Sequence, residues 1–547
     1  MDQITIVEFK EALISASNFL EINKDHVNDL NVFPVPDGDT GTNMSKTINS
    51  AVKQVASSNA KDLASLATEM SRGALMGARG NSGVILSQLF RGFADGLQGH
   101  DTITVPVLAQ AMKSASEMTY LAVMKPTEGT ILTVGRESAD FAVKHAKKYS
   151  DLILFGEAVL ERAKESLANT PNLLPVLKEA GVVDAGGQGL VTIMEGALKA
   201  LKGEGILDDV EAAEGTQAKA KTERHEISTD DIKFGYCTEF IVNTETNHVN
   251  DLKEELIPRG DSLIVVGDDS MIKVHVHTND PGLAIQSALK FGFLKDIKID
   301  NMRLQHSERL FTDYEVKEAK EAPAEPAEKK TYGFVSICAG KGIEEIFTEV
   351  GVDYLVTGGQ TMNPSTEDIL AGIDRVHAEH IFVLPNNSNI FLAAEAAAEI
   401  SDKDVIVLKT RSIPEGINAC IHFMPDKSVE ENVESMMEAV NDLTTGQVTY
   451  AVRDTEMDGI AIKKGDYIGL SGKKILAKGQ SINETTVEMI EKMVDEDASF
   501  ISLYAGEDVG DDEAEELEEK LEEAFPDMDV EIMRGEQPIY YYLISVE

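Results

Sequence analysis

The chain has no tryptophan, three cysteines and only 6% aromatic residues in a length of 547. Cys237, Cys338 and Cys420 lie far apart in sequence, so no disulfide framework is expected. Basic residues are scarce: 50 Lys and Arg stand against 95 Asp and Glu, a formal charge of −45. That field repels nucleic-acid backbones and anionic lipid surfaces, so neither is expected as a partner. It does not exclude ATP, whose charge a metal ion neutralises locally. No apolar run approaches the ~18 residues of a membrane span. The first residues, MDQITIVEFKEAL, carry early acids and no uninterrupted apolar stretch, so neither a secretory signal nor membrane insertion is expected. The reading is a cytoplasmic protein of three or four domains, since 42% hydrophobic content supplies ordinary cores.

Apolar residues recur at helical spacing around 6–30, 42–57, 61–77, 82–97, 105–123, 131–148, 155–171 and 187–203. Gly/Pro/Asn/Asp clusters separate many of these segments, which predicts an all-α eight-helix barrel or bundle over residues 1–205, with its site at the loop ends. A polar stretch at 206–231 reads as a linker. Over 232–313 the pattern predicts a small α+β domain: strands in FGYCTEFIVN, DSLIVVGDD and MIKVHVHTND, helices in LKEELI and LAIQSALKFG. A second linker, 314–330, is rich in Ala, Glu, Lys and Pro. Beyond it TYGFVSIC, DYLVTGG, HIFVLPN and DVIVLKT alternate with helical segments, which predicts an α/β domain with a parallel sheet over 331–547. DDEAEELEEKLEEAF near the end reads as a solvated helix with a narrow apolar stripe.

Four loops of the first domain carry chemistry. In NVFPVPDGDTGTNM, Asp37 and Asp39 stand two apart, so in an extended segment their carboxylates point to one side, as two hard oxygen ligands for Mg²⁺ would. Thr40, Gly41, Thr42 and Asn43 follow at a helix start, where hydroxyls and backbone N–H groups suit phosphate. The same residues would equally form an Asx-rich turn capping a helix. GARGNSG offers Asn81, Ser82 and Gly83 as a second set of donors, against the alternative of a tight helix packing. KPTEGT, ending in Thr130, and VDAGGQG, with Asp184, Ala185 and Gly186, are weaker candidates of the same kind. No Walker A sequence is present, so a P-loop fold is excluded. No histidine lies in these loops. A hydroxyl acceptor for a phosphoryl group would want a base, whereas a carboxylate, with a reference pKa of about 4.3, is already ionised at pH 7.

A second constellation lies in the middle domain. Cys237 and Glu239 in YCTEF, and His275 and His277 in VHVHT, have the spacing that puts each pair on one face of a strand. If those strands pair in register, the four form a plausible tetrahedral Zn²⁺ set, with His306 as the rival to Glu239. The alternative is a half-exposed strand face beside a buried cysteine. In the last domain, Thr361, Ser365 and Thr366 of VTGGQTMNPSTEDI offer hydroxyls to a carboxylate, but helix capping accounts for them more simply.

Taken in order, the four loops resemble the ATP-binding helical-barrel domain of the dihydroxyacetone kinase family. Over the whole chain, with its strand-rich middle and α/β end, the closer resemblance is to the ATP-binding subunits of bacterial fatty acid kinases. The resemblance implies ATP with Mg²⁺, two ions being expected, held by Asp37 and Asp39. It implies phosphate contacts from Thr40 to Asn43 and from Asn81 with Ser82, and a late nucleotide loop at Asp184 to Gly186. The dihydroxyacetone kinases carry a third aspartate where this chain has Val32, and Asn31 is the substitute candidate ligand. VTGGQTMNPSTEDI and VLPNNSNI resemble the fatty-acid-binding DegV type. The implied activity is transfer of the γ-phosphate to the carboxylate of a fatty acid held by a separate DegV-like protein, giving acyl phosphate for phospholipid synthesis, with a homodimer as the expected assembly. A small-hydroxyketone kinase and a non-catalytic ATP-sensing scaffold are the alternatives.

Overall fold

The computed structural model describes residues 1–32, 38–123, 125–205, 236–244, 248–267, 271–301, 329–359, 363–457, 459–472, 474–496 and 498–547. Residues 1–216 and 329–547 form one compact unit and residues 217–328 another. Both predicted linkers lie almost wholly outside the described residues.

The first part is helical: α1 (Ile6–Asn28), α2 (Thr40–Ser57), α3 (Leu63–Met76), α4 (Gly80–Gly96), α5 (Val105–Ala122), α6 (Ile131–His145), α7 (Leu152–Leu173), α8 (Pro175–Ala180) and α9 (Ala185–Leu201). Side-chain oxygens start several of them, Thr5 capping α1, Asp62 α3, Thr130 α6, Asp151 α7 and Asp184 α9. Each long helix packs on the next, and α9 returns to pack on α1, so the eight long helices close a barrel. Its interior holds an apolar cavity of about 250 Å³ between side chains such as Phe9, Leu86, Phe93 and Ile193. The short α8 is additional to the predicted eight. Proline at its first turn and Gly181 at φ +67 bound a run too short to show periodicity.

The middle unit is a four-stranded antiparallel sheet of β1 (Tyr236–Asn243), β2 (Gly260–Gly267), β3 (Met271–Thr278) and β4 (Phe293–Asn301) in the order β2-β3-β1-β4, with α10 (Val249–Leu256) and α11 (Pro281–Ala288). Strand β4 is absent from the sequence reading; its FLKDIKIDN carries four charges and mimics a solvated connection.

The last part begins with a parallel sheet, β5 (Lys330–Cys338), β6 (Tyr354–Thr357), β7 (Ala378–Leu384) and β8 (Asp404–Val407), in the order β6-β5-β7-β8. Helices α12 (Lys341–Glu349), α13 (Thr366–Arg375) and α14 (Phe391–Ile400) alternate with these strands. A six-stranded mixed sheet follows, containing Thr444–Tyr450, Tyr467–Ser471, Lys474–Gly479, Phe500–Ala505, Asp529–Arg534 and Tyr542–Val546. The acidic helix Asp511–Ala524 buries Leu517 and Leu521 alone, the narrow stripe expected of it.

Helical barrel and C-terminal domain share apolar cores. Ala78 and Val84, at the start of α4, belong to the cluster of Val335, Ile337, Ile369 and Val383 around the parallel sheet. Val32 packs against Met457, Ile462, Ile468 and Ile475. The loops at one end of the barrel are thus held against the C-terminal domain.

Candidate nucleotide site

The segment leading into α2 ends on Asp39, the residue at the helix N-cap. An aspartate here would ordinarily accept from the first free N–H groups, yet its side chain makes no capping bond. Asn28, at the end of α1, does that work: its Oδ1 accepts from Gly41 N at 2.7 Å and Thr42 N at 3.2 Å, and its Nδ2 donates to Thr42 Oγ1 at 3.0 Å. The Asp39 carboxylate is therefore not spent on capping; its Oδ2 accepts from Nδ2 of Asn363. The same contacts occupy the Gly41 and Thr42 amides, which the sequence reading offers to phosphate. Asn43 is buried, with its carbonyl accepting from Thr47 Oγ1. Thr40 Oγ1 donates to Asn31 Oδ1 at 2.7 Å, and Asn31 Nδ2 donates to Asn28 O at 2.8 Å. Asp37 lies outside the described residues.

A cavity of about 280 Å³ is lined by Asn31, Thr40, Ser82, Thr130, Asp184, Ala185 and Gly186 among others, Asp39 adjoining it in the chain through Thr40 without itself lining it. These seven come from all four loops. The rest of the lining divides by chemistry: Leu30, Val32, Ile85, Val123, Ile131, Leu132 and Leu177 are apolar, whereas Lys125 and Thr127 are polar. An apolar wall next to convergent polar groups suits a base at one end and charge at the other. Asn81 and Gly83 are not in this lining. The Asn81 amide donates to Ser388 O at 3.3 Å, and Gly83 packs so closely that a Cβ would meet Thr47 Oγ1 at 2.4 Å.

Two of the loops are locked by their own hydrogen bonds. Thr130 caps α6 through Leu132 N and donates to Thr127 O at 2.8 Å. Asp184 caps α9, accepting from Gly187 N at 2.7 Å. Burial pushes the Asp184 carboxyl up to about 6, against the opposing backbone hydrogen bonds of Gly187 and Ile131. A carboxyl raised on folding binds its proton more tightly in the native state, so its contribution to stability falls as pH rises from about 4 through about 6. Asparagine caps equally well and does not titrate. Asp184→Asn is expected to remove about 3 kcal/mol of stability loss between acid and neutral pH. Thermal midpoints of the two ligand-free proteins across that range check this; parallel curves would contradict it.

Sequence reasoning missed four residues. Asn28 and Asn363 hold the loop and Asp39, as described. Lys46 lies seven residues beyond Asp39, on the same side of α2, and this heptad spacing was the available signal. Burial lowers its pKa, the nearby Arg79 adds to that, and Asp39 opposes it. Arg453 donates through its guanidinium to the carbonyls of Asp29, Asn31 and Val32. Nothing local marked Arg453 or Asn363, because their partners lie more than 300 residues away.

Ser365 caps α13 in a full capping box with Asp368, the simpler of its two readings, and Thr366 is buried. Thr361 and His306 lie outside the described residues. In the middle unit β1 and β3 pair antiparallel with Cys237 opposite His277 and Glu239 opposite His275. The strand pairing on which the zinc reading depends is thus present, while the side chains of the four lie outside the description. Among the described residues no group of three or more His, Cys, Asp or Glu is gathered as a metal set, and no helix is long and apolar enough to cross a membrane.

Comparison with known proteins gives matches along the chain. The DAK2 domain matches residues 34–199, the middle domain of the FakA-like fatty acid kinase proteins matches 233–309, and their C-terminal domain matches 333–547. Protein YloV of Bacillus subtilis (strain 168) is 42% identical over 552 residues, covering 98% of each chain. Among solved structures, a DegV family protein, Cg2579 from Corynebacterium glutamicum, is 16% identical over 40% of this chain and 97% of its own, at a TM-score of 0.32. The dihydroxyacetone kinase from C. freundii in complex with AMP-PNP and Mg²⁺ is 18% identical over 37% of this chain and 35% of its own, at a TM-score of 0.29.

Proposed function

Because the chain belongs to the FakA-like family of fatty acid kinase proteins, with a kinase-type DAK2 domain, we propose that it is a Mg-ATP-dependent phosphotransferase whose acceptor is a fatty acid carboxylate. The observation that supports the proposal is the cavity in which four sequence-distant loops meet, with Thr40, the neighbour of Asp39, in its lining. The donor set fits the group expected there: Asp39 offers hard carboxylate oxygen, and next to it Oδ1 of Asn363 is buried without a hydrogen-bond partner among the described residues. When bound, Mg²⁺ supplies charge neutralisation on the triphosphate. Asp37 and Asp39 hold it, with Asn31 as the candidate for a third oxygen. Thr40, Ser82 and Thr130 line the cavity, and Lys46 adds positive charge close enough to interact with Asp39. The apolar wall excludes water and orients the base.

No histidine lies in the four loops to act as a base. An ionised carboxylate needs none, and this favours a fatty acid over a hydroxyketone. We take the acid to be delivered by a separate DegV-like binding protein in the cytoplasm, with the C-terminal domain docking that partner and the kinase chain itself forming a homodimer. The register of β1 and β3 supports, in the same proposal, a structural Zn²⁺ on Cys237, His275, His277 and Glu239.

The experiment is purified protein with Mg-ATP and oleate, with and without a fatty-acid-binding DegV-family protein, scored for acyl phosphate. Partner-dependent product is expected. Turnover of dihydroxyacetone instead would replace the acceptor, and tight ATP binding without turnover of any acceptor would make the protein a sensor. For the middle domain, stoichiometric zinc in the wild type, lost in Cys237→Ser and His275→Ala, is expected; a metal-free wild type removes that part of the proposal.

A further inference from the structure

Asn363 stands in the segment that leads into α13 and is 1% exposed. Its two amide atoms differ: Nδ2 donates to Asp39 Oδ2, whereas Oδ1 finds no partner among the described residues. A buried amide oxygen left unpaired is costly, so its retention beside a carboxylate calls for a cause. The backbone around it is tied to the barrel. Arg79 Nη1 donates to Asn363 O at 2.7 Å, Arg79 Nη2 lies 3.4 Å from Asp368 Oδ2, and Thr366 N donates to Ala78 O at 3.1 Å. Gly80 makes room for this approach: it sits at φ +56, and a Cβ there would come within 2.6 Å of Asn43 Nδ2 and 3.2 Å of Asn363 Nδ2.

A second contact grips the same loop from elsewhere in the C-terminal domain. The half-buried Arg453 spends its guanidinium on the carbonyls of Asp29, Asn31 and Val32. Asn31 in turn accepts from Thr40, one residue after Asp39. Both ends of the segment that contains Asp37 are therefore held by one domain, and Asp39 is held directly.

We propose that the C-terminal domain is part of the metal site, with Asn363 as a positioning residue that orients the Asp39 carboxylate through Nδ2 and meets a metal-bound water through Oδ1, and with Arg453 holding the Asp29–Val32 loop. A water on the cation donates the hydrogen bond that Oδ1 lacks. Metal affinity then depends on an interface between two domains, not on the helical barrel alone. The inference rests on the reading that Asp39 binds Mg²⁺.

The test uses the full chain, with calorimetric titration of Mg²⁺ in the presence of AMP-PNP and thermal midpoints with and without Mg²⁺. Asn363→Ala is expected to weaken Mg²⁺ binding by about tenfold or more, as loss of a group that orients a ligand does, while metal-free nucleotide binding in EDTA changes by less than about twofold. Asn363→Asp keeps the shape, loses the donor and sets a second carboxylate against Asp39. Its metal-free midpoint is expected below that of the wild type, and Mg²⁺ alone is expected to raise it by more than it raises the wild type. This second variant decides the matter if the alanine protein does not fold. Wild-type Mg²⁺ affinity in Asn363→Ala, or a midpoint of Asn363→Asp that responds to Mg²⁺ as the wild type does, overturns the proposal. Asp39→Ala, titrated alongside, separates the two levels. If it loses Mg²⁺ binding while the Asn363 variants keep it, only the role of Asn363 falls; if it too binds as wild type, the metal assignment itself is wrong.

Discussion

Replacing Asp39 with alanine is expected to lower phosphoryl transfer by about a thousandfold while leaving a folded protein, because a charge placed to hold the neutralising cation cannot be substituted by solvent. The expectation follows from how the helix start is built. Asn28 satisfies the N–H groups of Gly41 and Thr42, so removing the carboxylate does not uncap α2. The structural loss includes the acceptor for Asn363 Nδ2, which costs about 1 kcal/mol. Far-UV circular dichroism and a cooperative thermal transition monitor the fold, and product formation at saturating Mg-ATP monitors the chemistry. Asp37→Ala is expected to show the same loss. Undiminished activity in either variant would sink the assignment of that carboxylate to the metal.

The second large effect concerns stability. Gly41 lies where α2 starts against the end of α1, and a Cβ on it would stand 2.1 Å from the carbonyl oxygen of Lys24 and 2.9 Å from its carbon. The obstacle is helical backbone, which cannot rotate away as a side chain would. Relief requires α1 and α2 to separate, and that pulls Asn28 from the two N–H groups it caps. Gly41→Ala is therefore expected to cost about 3 kcal/mol, at the upper end for overpacking. Denaturant unfolding of wild type and variant measures it directly. A midpoint equal to that of the wild type would mean that the two helices are not held this closely. The same variant is expected to bind nucleotide more weakly, since Thr40 and Asp39 move with the helix start.

Much of this was legible in the chain. Helical periodicity located the eight long helices, because each buries a stripe in one barrel. The alternation of strand-like TYGFVSIC and HIFVLPN with helical segments announced a parallel sheet, since parallel neighbours need a crossover connection. Within the site, the loops that meet at the cavity were all visible as Gly-rich interruptions, down to Thr130 and Asp184, although the structure gives both a capping role as well. Two things were hidden. The donors of Gly41 and Thr42 looked open from sequence, and only the fold brings Asn28 onto them. The contribution of the C-terminal domain was invisible, because Asn363 and Arg453 reach across hundreds of residues and belong to no local pattern. Val32 illustrates the difference. In sequence it is an anomaly at the place of a third aspartate; in the structure it is an apolar contact with Met457, Ile462 and Ile468, where a carboxylate would be desolvated beside hydrocarbon.

Mg-ATP is expected in the cavity lined by Thr40, the neighbour of Asp39. An experimental structure of the full chain with AMP-PNP and Mg²⁺ tests this. The triphosphate is expected in the cavity formed by Thr40, Ser82, Thr130 and Asp184, with the metal on the carboxylates of Asp37 and Asp39. Nucleotide bound anywhere else, or metal held there without Asp39, would contradict it.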